Sequence, residues 1–221
     1  KTVGVNEKAD FEATNIRIEK SAYIFDIKIE NELITNIRFA LPGKHNLMNA
    51  LMAFAMAKTY GVSDEDSKKA LASFKGIRRR FSYQIQSENL VYIDDYAHHP
   101  TEINAVHQAV SELYPGEKVL AIFQPHLFSR TRDFADDFAK SLSTFDSVLL
   151  LDIYPARELP MEGITSDWLL SKMTNFDKKV INKTELIEAV LASDATVFVS
   201  IGAGDIGALV PSIKKALHEK I

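Results

Sequence analysis

Along residues 16–40 apolar and polar positions alternate with a period of two, as in Tyr23-Ile24-Phe25-Asp26-Ile27-Lys28-Ile29. Successive side chains of a strand point to opposite faces, so this spacing predicts a β-hairpin with one buried face, turning at Glu30-Asn31-Glu32 and returning through Leu33 to Phe39. After Pro42-Gly43 the period changes. Leu47, Leu51, Phe54 and Ala55 fall on one face of a helix that Gly61 can stop. A second helix is predicted from the cap Ser63, with Asp64, Glu65 and Asp66 in its first turn, to about Phe74, and Gly76 ends it.

From about residue 88 apolar runs that suit buried strands, near 90–94, 118–123, 146–152 and 196–200, are interleaved with helical spacing near 101–113, 131–143, 184–192 and 205–219. Strands that alternate with helices of this length pair in parallel through right-handed crossovers. The pattern therefore predicts an α/β chain: a Rossmann-like, doubly wound, mostly parallel sheet, preceded by the last part of another α/β domain. The expected domains are residues 1–80 and 81–221, joined by a linker running from Arg80 toward Gln86.

Composition narrows the chemistry. With 46% hydrophobic and 25% charged residues the chain is an ordinary globular sequence. Its formal net charge of -4 gives no support for nucleic acid as a partner, since a phosphate backbone is bound through clustered Lys and Arg. There is no cysteine, which excludes disulfides, thiolate metal sites and cysteine nucleophiles and suits a cytoplasmic protein. No apolar run reaches the ~18 residues of a membrane span.

The densest chemistry is Asp94-Asp95-Tyr96-Ala97-His98-His99-Pro100-Thr101-Glu102, directly after the apolar run Leu90-Val91-Tyr92-Ile93. In open α/β sheets ligands bind outside the carboxyl ends of the strands. Phe123-Gln124-Pro125-His126-Leu127-Phe128-Ser129-Arg130-Thr131 repeats the arrangement after Val119-Leu120-Ala121-Ile122. For Asp94, Asp95, His98 and His99 three readings stand: a ligand-binding loop, a metal site, or a polar network capping the sheet. Adjacent histidines on an extended backbone point to opposite sides, and the further ligand candidates His126 and Asp152 are isolated, so the metal reading is the weakest.

Three other motifs carry weaker signals. Gly43-Lys44-His45 lacks the earlier glycine and the following Ser or Thr of a phosphate loop, but Asn46 and Asn49 lie three apart on the helix that follows and carry the donors and acceptor needed to read a purine edge. Caps and turns account for such asparagines more often. Arg78-Arg79-Arg80 is either a solvated patch or a fork for the phosphate oxygens of a ligand. Gly202-Ala203-Gly204-Asp205-Ile206-Gly207 has dinucleotide-loop spacing but no following strand and no acid ~20 residues on, which favours a tight turn.

Taken together, Gly43 to Ala50, Gly76 to Phe81, Asp94 to Glu102, Phe123 to Thr131, Tyr154 to Gly163 and Gly202 to Gly207 occur in the order found in the Mur ligases of peptidoglycan synthesis, and the chain resembles that family from residue 40 onward. The branch it resembles most adds an amino acid directly to a UDP sugar. The resemblance implies a central ATP-binding domain, here only its last part, followed by the family's C-terminal Rossmann-like domain, in a partial chain that does not catalyse alone.

It also implies ATP and magnesium as cofactors, with the magnesium ligands mainly outside this chain, and UDP-N-acetylmuramate and L-alanine as substrates joined through an acyl phosphate. By matching position, His45, Asn46 and Asn49 would contact adenine, Asp95 the ribose hydroxyls, and Arg80 the phosphates. His98 and Arg130 would face the muramate and alanine carboxylates, with His99 and His126 beside them; Arg80 and His98 are the implied catalytic pair. One departure is Leu127, where many members carry an arginine. The alternatives are a ligase that recycles murein tripeptide onto the same UDP sugar, a stand-alone nucleotide-binding module, and a metal-dependent phosphoesterase built on Asp94, Asp95, His98 and His99.

Overall fold

The computed structural model describes residues 1–19 and 22–220, so residues 20 and 21 of the expected hairpin lie outside the described residues. The chain forms two compact units, Lys1–Gly76 and Ile77–Ile221. The division falls four residues before the expected one, and it places all three arginines of Arg78-Arg79-Arg80 in the second unit.

In the first unit strands β1 (Val3–Val5), β2 (Phe11–Glu19), β3 (Ala22–Ile29) and β4 (Glu32–Phe39) make one sheet in that order. β1 pairs in parallel with β2, and the others pair antiparallel. The period-two residues Tyr23, Phe25 and Ile27 point to one face, where Leu47, Leu51 and Phe54 of helix α1 (Lys44–Thr59) close a core. Helix α2 (Asp64–Ser73) starts where expected, with the Ser63 hydroxyl accepting the Asp66 N–H.

The second unit is built on a six-stranded sheet. Its strands are β5 (Ser82–Gln86), β6 (Val91–Asp95), β7 (Val119–Phe123), β8 (Ser147–Leu150), β9 (Asp177–Val180) and β10 (Val197–Ile201), in spatial order β5-β6-β10-β7-β8-β9. Only β5 runs antiparallel to its neighbour. The helices are α3 (Pro100–Leu113), α4 (Phe128–Asp133), α5 (Ala135–Leu142), α6 (Ser166–Lys172), α7 (Leu186–Ala192) and α8 (Ile206–Lys220).

Central strands are buried on both faces, which explains why they read as continuous apolar runs. Val91, Ile93, Val119 and Ala121 pack with Ile103 and Val106 of α3 and Phe138 of α5 on one side. Tyr92, Leu120 and Phe198 pack with Leu186 of α7 and Ile213 of α8 on the other. The register sets Ile201 beside both Asp95 and Phe123, so the motifs that follow β6, β7 and β10 leave the sheet at one level.

Several elements escaped the sequence reading. β5 and β9 are edge strands of mixed burial, and their sequences Ser82-Tyr83-Gln84-Ile85-Gln86 and Asp177-Lys178-Lys179-Val180 carry no clean apolar run. The three-residue β1 and the seven-residue α6 are too short to establish a period. The helix expected over 131–143 is two helices meeting at Phe134, whose φ of -115° breaks the helical path.

Candidate functional site

In the first unit the residues expected at adenine lie at the start of α1. Gly43 precedes the helix at φ 95°, a conformation natural only to glycine, so Lys44 and His45 enter the first turn directly. His45 is exposed. The Asn46 side-chain amide donates to the Pro42 carbonyl at 2.7 Å and so holds the turn. Asn49, one turn on, is exposed.

In the second unit the arginine run is divided by burial. The Arg79 guanidinium donates from Nε to Asp94 at 3.1 Å and from Nη2 to the Gly202 carbonyl at 2.7 Å, and it lies over the Tyr96 ring. Arg79 is therefore a structural clasp joining the β5 side, the end of β6 and the glycine turn. Arg80 points outward: its side chain is 47% exposed, and its ion pair to Glu102 is 3.5 Å long. Arg79 and Phe81 both have positive φ, 61° and 45°, so the backbone reverses on either side of Arg80.

The paired aspartates have separate duties. Asp94 accepts from Arg79 and from the Ser200 hydroxyl and is 1% exposed, a network that caps the sheet. Asp95 accepts the Phe81 and Ala97 N–H groups, each at 2.7 Å. Burial pushes its carboxyl up to about 6 despite those two donors and the nearby Arg80 charge. The histidines separate as well. His99 caps α3 and sets its ring against Phe134, with centroids 4.7 Å apart. His98 remains half-buried, its ring 6.1 Å from that of His126.

After β7, His126 stacks on Tyr154 and Leu127 starts α4 at φ 74°, a left-handed conformation rarely taken by a branched side chain. His126 Nδ1 and Arg130 Nη1 are both buried without a hydrogen-bond partner. Burial, followed by the positive charge of Arg130, pushes the His126 imidazole below its ordinary value. The structure thus sets His98 beside His126, with the Arg130 charge bearing on His126 and two buried nitrogens left without partners. A cleft of about 300 Å³ lined by Gln124, Asp152, Tyr154, Lys183 and Asp205 lies alongside.

The glycine turn explains residues that the sequence reading did not assign. Gln124 accepts the Ile206 N–H and donates to Asp205, while a side chain at Gly204 would collide with Gln124 Oε1 at 2.4 Å and with Tyr154. Gly204 and Gly207 are thus required by side chains packed against them, and Gly202 by the Gln124 carbonyl oxygen. Tyr96, Glu102, Gln124 and Tyr154 were the omissions. The signal was present in their motifs, but each acts through contacts distant in sequence or on backbone groups. Among the described residues no three His, Asp or Glu side chains gather in a way that could hold a metal ion.

Residues 79–205 match the family described as Mur ligase, glutamate ligase domain, and residues 1–57 match the Mur ligase middle domain. A UDP-N-acetylmuramate–L-alanine ligase of Flavobacterium johnsoniae is 68% identical over 98% of this chain, and the match covers 48% of that relative. Among solved structures, a UDP-N-acetylmuramate-alanine ligase from Thermotoga maritima superposes with a TM-score of 0.82 at 26% identity, covering 99% of this chain and 48% of that one. A murein peptide ligase from Psychrobacter arcticus gives a TM-score of 0.63 at 22% identity, over 97% of this chain and 46% of that one, a likeness of fold. The chain spans about half the length of the curated relatives it matches.

Proposed function

The chain belongs to the Mur ligase family, and from that premise we propose that it forms part of an enzyme that uses ATP to join L-alanine to UDP-N-acetylmuramate. In this reaction the γ-phosphoryl group passes to a carboxylate oxygen of the muramate, giving ADP and an acyl phosphate. The alanine amine attacks the acyl carbon, and the tetrahedral intermediate expels inorganic phosphate as the amide forms. No side-chain nucleophile is needed; positioning and charge neutralisation supply the catalysis.

The observation that carries this reading is the buried, unpartnered donor Arg130 Nη1, together with the buried, unpartnered His126 Nδ1, whose ring lies near His98 at the carboxyl ends of the strands. A buried donor without a partner costs about 1–3 kcal/mol, so its retention fits a ligand that completes it. A guanidinium is suited to a carboxylate, which both substrates carry. The exposed Arg80, held by a long ion pair to Glu102 and the face of the Tyr96 ring, can turn to a phosphate.

Asp95 is assigned to the ribose hydroxyls through the second lone pair on each of its oxygens. In the first unit His45, Asn46 and Asn49 are assigned to adenine, with Asn49 offering its exposed amide. His99 caps α3, and the substrate contact that the resemblance implies for it belongs to the same proposal. When bound, magnesium would neutralise phosphate charge; in this proposal its protein ligands lie mainly outside this chain.

A cytoplasmic site of action, where ATP is available, belongs to the same proposal. Among the described residues no helix is long and apolar enough to cross a membrane. The test is to restore the full-length protein and measure ATP-dependent phosphate release with UDP-N-acetylmuramate, with and without L-alanine. Release that requires both substrates is expected. Release that requires a murein tripeptide in place of alanine would make the protein a recycling ligase, and no release from folded protein would overturn the ligase reading.

A further inference from the structure

One carboxylate at the start of α3 touches two of the residues just assigned to substrate. Glu102 Oε2 accepts the His98 N–H at 2.8 Å and the His99 N–H at 3.2 Å, closing the helix end as a capping box does. The same oxygen lies 3.4 Å from His98 Nδ1, and Oε1 meets Arg80 Nη1 at 3.5 Å. A helix cap requires only the first two contacts. Burial opposes ionisation of Glu102, but the His98 N–H and the Arg80 charge outweigh it, so the carboxyl is held below its ordinary range.

The surroundings of His98 also fix its tautomer. Its Nδ1 lies 2.9 Å from the Tyr96 carbonyl oxygen, which can only accept, and 3.4 Å from the Glu102 carboxylate, which also only accepts. Nδ1 therefore carries the proton, and in the neutral ring Nε2 is an acceptor. A carboxylate has no proton to offer such an atom, whereas an amine does. Arg130 already supplies a donor for a carboxylate.

Resting on the ligase reading above, we propose that Glu102 is a positioning residue. It holds His98 in the Nδ1–H tautomer, so that Nε2 accepts a hydrogen bond from the amine of the incoming amino acid, and it holds the Arg80 guanidinium over the Tyr96 ring, with Cζ 5.7 Å from the ring centroid. His98 is thereby assigned to the amine, in place of the carboxylate contact that the resemblance implies.

Two measurements test this. On this chain alone, long-range nitrogen-15 correlation of the histidine side chains should show wild-type His98 as the Nδ1–H tautomer and Glu102→Ala drifting toward Nε2–H. In the full-length enzyme, Glu102→Gln retains an amide oxygen for the two backbone N–H groups. It should melt with wild type yet lose about tenfold in kcat, with KM for ATP within about twofold.

Wild-type His98 found as Nε2–H or doubly protonated at the assay pH would overturn the proposal, as would Glu102→Gln turning over like wild type. If the wild-type full-length protein releases no phosphate, the ligase reading fails, while the tautomer measurement on this chain still decides whether Glu102 orients His98.

Discussion

The guanidinium of Arg79 occupies the space that a side chain on Gly207 would need: a β-carbon there would lie 2.6 Å from both Cζ and Nη1 of Arg79. The third glycine of the turn after β10 is therefore a consequence of an arginine more than a hundred residues earlier in the chain. Gly207 opens α8, where alanine would otherwise be the better helix former by about 1 kcal/mol.

Gly207→Ala should therefore destabilise the chain by about 1–3 kcal/mol, the usual cost of overpacking. In an Arg79→Ala background the same substitution should be neutral or stabilising. Denaturant unfolding of the four proteins of this double-mutant cycle measures the coupling. Equal costs in the two backgrounds would show that Arg79 is not what excludes the methyl group.

Asp95 gives a pH signature. The folded protein holds its carboxyl proton up to about 6, above the ordinary 3.8, so the folded state binds the proton more tightly than the unfolded chain does. Its contribution to stability is present below about pH 4 and is lost as the pH rises through about 6. Asp95→Asn removes this titration, so the fall in stability between those pH values should be smaller in the variant. Urea unfolding at both ends of the window provides the comparison.

Arg80→Ala should leave the melting temperature close to wild type, because the side chain is 47% exposed and its ion pair to Glu102 is long. In the full-length enzyme the same change should slow ligation by about a hundredfold or more, the loss typical of a donor that stabilises transferring charge. Phosphate-release kinetics and a thermal melt on the same preparation separate the two effects. Unimpaired turnover would return Arg80 to a surface role.

Arg130→Met should separate stability from function in the opposite sense. Removing a partly buried cation whose Nη1 has no partner should leave the isolated chain as stable as wild type or more so, since an unsatisfied buried donor costs about 1–3 kcal/mol. The full-length enzyme should lose kcat/KM for the carboxylate-bearing substrates. A destabilised chain with normal kinetics would assign Arg130 to packing.

Asn49→Ala changes an exposed side chain on a helix surface, where alanine is the better helix former, so the melt should hold or rise slightly. ATP affinity of the full-length enzyme should fall if the amide reads the purine edge. Calorimetric titration with a non-hydrolysable ATP analogue gives the answer directly.

Much of this architecture was legible in the residues. The period-two alternation from Tyr23 to Ile29 and the doubly buried runs at Val91, Val119 and Val197 are local consequences of side-chain direction and burial. The short edge strands β5 and β9 were not, because their stability comes from pairing with a neighbour already in place.

The candidate site divides along the same line. Residue order alone assembled Asp94 to Glu102 and Phe123 to Thr131 into recognisable motifs at strand ends. It could not rank their members, because rank depends on contacts made at a distance. Arg79 and Arg80 are adjacent and chemically identical, yet one is clamped by Asp94 and Gly202 while the other reaches solvent. His98 and His99 are likewise identical in sequence terms, and only the tertiary structure makes one a helix cap and leaves the other beside His126. The sequence determined which chemistry is present and at which level of the sheet it emerges. The burial, partners and charge surrounding each group were decided only once strands far apart in the chain lay side by side.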